Sequence, residues 1–91
     1  MAQVVVTVRI MPDKPDADLE KIKGEADIKI KEFGGEVGKS EMQPVAFGLK
    51  ALILIFVMDE SLGSTDQLEE NIKKIRGVQS VEVTDVRRAI G

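Results

Sequence analysis

The sequence contains no cysteine and no histidine. Without cysteine there is no disulfide framework and no thiolate metal site. Without histidine as well, neither the Ser-His nor the Cys-His nucleophile arrangement can be assembled. Trp and Tyr are absent too, which leaves Phe33, Phe47 and Phe56 as the only aromatics. No Gly-rich phosphate loop is present. Long apolar runs are also lacking. The longest, Leu49 to Met58, is broken by Lys50 and is too short to cross a bilayer. The segment Met1 to Arg9 alternates in polarity, and it lacks the basic start and continuous apolar core of a secretory signal. The expected location is the cytoplasm, with no membrane contact.

What is present describes a soluble domain with a charged shell. Of the 91 residues, 43% are hydrophobic and 32% charged, and the net charge is −3. A chain of this length buries roughly 60–65% of its unfolded surface, enough for one two-layer core. Residues 1–91 are therefore expected to form a single domain. A negative chain is repelled by phosphate backbones, so direct nucleic-acid binding is not expected.

Val4, Val6, Val8 and Ile10 recur at period two, which predicts a strand over residues 3–11. Pro12 and Pro15 stop it, and Asp16 is the expected N-cap of a following helix. Leu19, Ile22, Ala26, Ile30 and Phe33 fall on one face of a helix over 17–33, with Ile28 on the exposed side. Gly34-Gly35 ends that helix. Glu36 to Val45 reads as a weak edge strand, because it carries Gly38, Lys39 and Glu41. Leu49 to Met58 is apolar at nearly every position and reads as a central strand. Ser64 and Gln67 form the pattern of a capping box for a helix over 65–76, which buries Leu68, Ile72 and Ile75 and stops at Gly77. Val78 to Val86 is the last strand, and Arg87 to Gly91 a short tail.

The order β-α-β-β-α-β predicts an α+β ferredoxin-like sandwich: a four-stranded antiparallel sheet with both helices on one face. Such a fold hosts many functions, so the side chains must decide. RNA-binding members stack bases on aromatics of the central strands, and here those strands offer only Phe56. Asp13, Asp16 and Asp18 lack the spacing of a calcium loop and read as cap and solvated loop. No metal and no cofactor are expected. Two features remain: Phe47 in a turn beside Gly48, and the basic pair Arg87-Arg88. Phe47 is either a plug at the end of the core or a wedge aimed at a partner.

The run Pro44-Val45-Ala46-Phe47-Gly48-Leu49-Lys50 resembles the Pro-Val-aromatic-Gly motif of the elongation factor 1-beta family. Val78 to Arg88 resembles the C-terminus of its archaeal members, and Asp59-Glu60, Gly63 to Asp66 and Leu68 to Glu70 fit as well. The resemblance spans nearly the whole chain and is strongest from Gln43 onward. It implies a guanine nucleotide exchange factor for the GTPase elongation factor 1-alpha, with no bond chemistry of its own. It further implies partner contacts at Phe47, Gly48 and Lys50 and at the C-terminal basic residues. There Arg88 matches the family position best and Arg87 is the neighbouring alternative. Eukaryotic members carry Lys at that position, and Ala51 stands where they have a second basic residue. The chain is expected to be monomeric on its own. The alternative is a ferredoxin-like small-ligand or oligomerisation domain without exchange activity.

Overall fold

The computed structural model describes residues 2–89. Four strands and two helices follow in the order β1 (Gln3–Pro12), α1 (Leu19–Phe33), β2 (Glu36–Pro44), β3 (Lys50–Asp59), α2 (Asp66–Lys73) and β4 (Val78–Arg88). A tight turn at Ala46–Gly48 precedes β3, and a single-turn 3-10 segment at Glu60–Leu62 follows it. The strands form one antiparallel sheet in the order β2-β3-β1-β4. This is the expected ferredoxin-like arrangement. It places the two most apolar strands, β1 and β3, at the centre of the sheet, each with a neighbour on either side.

Alternation along the central strands builds the core. Val6, Val8 and Ile10 of β1 and Leu52, Leu54, Phe56 and Met58 of β3 are buried with Ile22, Ala26 and Ile30 of α1 and Leu68 and Ile72 of α2. Apart from Ala26, each of these side chains contributes about 1.5–3 kcal/mol on leaving water. Ile28 is 59% exposed, as its position off the α1 stripe requires. Val5, Ile53, Ile55 and Val57 point to the uncovered face and are only half-buried there.

Several boundaries differ from expectation, each for a local reason. Asp18, not Asp16, caps α1: its carboxylate accepts from the Lys21 N–H at 3.1 Å, and the helix begins two residues later than predicted. No capping box forms at α2. Thr65 occupies the N-cap position, the Ser64 hydroxyl accepts from the Asp66 N–H at 3.1 Å, and the Gln67 side chain reaches forward to Asn71. With its side chain directed one turn ahead, Gln67 does not return to accept from the Ser64 N–H. The α-helix also stops at Lys73, before the predicted end at 76. Finally, β4 continues through Arg87 and Arg88, which are therefore strand residues and not a tail. Pairing with β1, Val4 to Arg88 and Val5 to Arg87, extends the ladder that far. Ile90 and Gly91 lie outside the described residues.

The β1–β4 ladder contains an irregularity. Val8 pairs with Val83 but Thr7 pairs with Asp85, so Thr84 is an extra residue on β4. Val81 and Val83 share the helix-bearing side of the sheet before it; Val86 and Arg88, paired with Val6 and Val4, share that side after it.

Candidate functional site

The β2–β3 hairpin closes on Ala46, Phe47 and Gly48. Val45 N–H donates to the Leu49 carbonyl at 2.8 Å, and Leu49 N–H donates to the Ala46 carbonyl at 3.3 Å. Phe47 has φ 62 and ψ 33, and Gly48 has φ 74. Two successive positive φ values make this a type I′ turn, the kind whose twist matches a hairpin. Gly suits its second central position. The first is ordinarily Asn, Asp or Gly, because left-handed backbone costs an L-residue about 1–2 kcal/mol. Among the described residues Phe47 is the one non-glycine with positive φ. Its ring is 93% exposed, so it plugs nothing. An aromatic side chain held in water on a strained backbone is a local cost without a local return. Such outliers gather at functional sites.

Gly48 and Lys50 line a depression of about 270 Å³ with Pro12, Leu19 and Met42, between the hairpin and the start of α1. Phe47, Gly48 and Lys50 therefore belong to one end of the molecule.

Arg87 and Arg88 are at the other end. From the level of Lys50 to that of Met58, β3 advances about 27 Å at its usual rise. The longest dimension of the molecule is 41 Å. The five predicted contact residues thus fall into two clusters. Within the second cluster the arginines diverge, since successive strand residues alternate faces. Arg87 lies on the uncovered face, where its Nε sits 2.8 Å from an Asp85 carboxylate oxygen as an ion pair. Arg88 lies on the helix-bearing side, where its Nη2 sits 2.8 and 2.9 Å from the two carboxylate oxygens of Glu60. Neither carboxylate partner was singled out from the sequence. Asp59-Glu60 entered only as part of the family resemblance, and no local spacing links Glu60 to a residue 28 positions away.

Asp59 supports that corner. Donation from Ser61, by its hydroxyl and then its backbone N–H, holds the Asp59 carboxyl below its ordinary range. Among the described residues no group of three or more acidic side chains is placed to hold a metal ion. A shallow depression of about 630 Å³ on the uncovered face is lined by Thr7, Met42, Gln43, Pro44, Ile53 and Thr84, with Arg9 and Glu41 as its ionisable groups. Those two do not form an acid–base pair.

No described helix is long and apolar enough to cross a membrane. In overall shape the chain is similar to the ACT domain from the GTP pyrophosphokinase of Chlorobium tepidum. The TM-score is 0.60 at 16% identity, over 89% of this chain and 97% of that one, a likeness of fold alone. Sequence comparison is more specific. The chain is 46% identical over 88 residues to elongation factor 1-beta of Methanothermobacter thermautotrophicus, covering 97% of this chain and 98% of the relative. It is 43% identical over 90 residues to that of Archaeoglobus fulgidus, covering 94% and 97%. It is 39% identical over 89 residues to that of Staphylothermus marinus, covering 97% and 98%. Residues 5–89 match the family described as the EF-1 guanine nucleotide exchange domain. The exposed aromatic at the hairpin tip and the arginines at the far end thus stand within one continuous match, and the chain belongs to the EF-1 guanine nucleotide exchange domain family.

Proposed function

We propose that this chain promotes GDP release from the GTPase elongation factor 1-alpha, so that GTP can rebind, by gripping it at both ends of the sheet. The observation that carries the reading is Phe47, exposed at 93% on a left-handed turn position. Its ring enters an apolar pocket of the GTPase, where about 150–250 Å² of aromatic surface leaves water. Gly48 and Lys50 flank that contact. At the opposite end Arg88 reaches toward the region where the GTPase holds Mg²⁺ and the nucleotide phosphates.

Exchange makes and breaks no covalent bond. The GTPase grips its nucleotide through a phosphate loop and a Mg²⁺ ion, and segments around that ion move between states. A factor that binds the loosened state better raises its population. By linkage, nucleotide weakens factor binding by the same coupling free energy. Direction then comes from whichever nucleotide is in excess.

The test is release of a fluorescent GDP from elongation factor 1-alpha. The chain should accelerate it, Phe47→Ala should slow it at least tenfold, and Arg88→Ala should slow it more than Arg87→Ala. Thermal stability should barely change with Phe47→Ala, since a buried Phe would cost about 3–5 kcal/mol and this one is exposed. No acceleration by the unmodified chain in stoichiometric excess would refute the reading. The half-buried Val5, Ile53, Ile55 and Val57 on the uncovered face favour a second reading, pairing of two copies. Sedimentation at high concentration decides, and a monomer is the expected result.

A further inference from the structure

We propose that Glu60 is a positioning residue for Arg88: it fixes the guanidinium before the partner arrives. This inference rests on the assignment of Arg88 to the phosphate end of the contact.

Arg88 is 69% exposed along its side chain, so packing alone does not fix its rotamer. An unrestrained arginine would sample many, and each would have to be given up on binding. Glu60 removes that freedom in advance. Both of its oxygens engage the same nitrogen, Nη2. Among the described residues Nε and Nη1 of Arg88 have no acceptor. The guanidinium is therefore tethered by one nitrogen and retains two donor positions for an oxyanion such as a phosphate.

The backbone around the pair is anchored. Glu60 N–H donates to the Ala2 carbonyl at 2.9 Å, and the Glu60 carbonyl accepts from Gly63 N–H at 3.2 Å. The Asp59 carboxylate accepts from Ser61 N–H at 2.8 Å and closes the start of the same turn. On the other side Ala89 N–H donates to the Gln3 carbonyl at 2.8 Å. Ala2 and Gln3 are consecutive, so the carboxylate and the arginine are referred to one rigid piece of chain at the head of β1. Arg87 has no such frame. Its partner Asp85 is two residues away on its own strand, so that pair is referenced to nothing beyond β4.

The experiment compares Glu60→Gln with the unmodified chain in fluorescent-GDP release from elongation factor 1-alpha at saturating factor. Ordering one long side chain sets the scale, so the maximal rate should fall about three- to tenfold. An exposed ion pair adds little to folding, so the thermal midpoint should move by no more than about 2 °C. Glu60→Asp should restore part of the rate. In an Arg88→Ala background, Glu60→Gln should have no further effect. An unchanged or faster rate in Glu60→Gln overturns the proposal, as does an equal loss in both backgrounds. If Arg88→Ala itself exchanges at the unmodified rate, the assignment of Arg88 fails. That result is separate from any obtained with Glu60.

Discussion

Phe47 occupies the turn position that Asn or Gly would fill more comfortably. Phe47→Asn creates the Asn-Gly pair that type I′ hairpins favour. We expect it to raise stability by about 0.5–1 kcal/mol, through relief of the left-handed backbone, while exchange falls as far as in Phe47→Ala. Urea denaturation and GDP release on the same preparations check this, and a loss of stability would mean that the ring supports the hairpin. The sequence revealed where Phe47 sits, since Gly48 and the proline before it mark a turn. It did not reveal the backbone angle. A glycine in second place allows several turn types, and a phenylalanine is an improbable tenant of left-handed space. The Glu60 to Arg88 pair was illegible for a different reason. Carboxylates are abundant here, and only the meeting of the β3 end with the β4 end selects one of them.

At the scale of elements, the stripes and alternations were legible and the ends were not. The apolar spacing of Leu19, Ile22, Ala26, Ile30 and Phe33 locates the body of α1, because burial follows period directly. Its start depended on which of three nearby aspartates caps it, and that choice is made by the chain path after Pro15, not by propensity. β4 was cut short for a similar reason. Arg87 and Arg88 carry no strand signal of their own and are held by their register against Val5 and Val4. The α1–β2 junction provides a test of packing. A methyl group on Gly35 would stand 2.9 Å from a methyl of Ile30 and 3.0 Å from the ring of Phe56. Gly35→Ala should therefore cost about 1–3 kcal/mol by overpacking. A chemical-denaturation midpoint equal to that of the unmodified chain would show that the junction can yield.

At the scale of the molecule, the proposed contact residues divide between two ends of one sheet. Groups this far apart, with no shared partner, act on stability independently. On a single partner, under the proposed function, they would act as two handholds. Phe47→Ala and Arg88→Ala should each weaken exchange, and their logarithmic effects should add in the double variant. A double variant no slower than the worse single would mean that the two ends serve one step in series and not one grip. Which arginine lies on the helix-bearing side is decided by a single residue of neither cluster. Thr84, the extra residue opposite the Thr7–Val8 step, resets the phase of β4. Were Thr84 paired in ordinary alternation and not bulged, the strand would keep its earlier parity, Arg87 would follow Val81 and Val83 onto the helix-bearing side, and Arg88 would turn to the open face. Thr84 is thus the ratchet tooth of the strand: let it pair in step and the two arginines exchange stations without a change in either; delete it, and the remaining pairs, and both arginines, stay where they are.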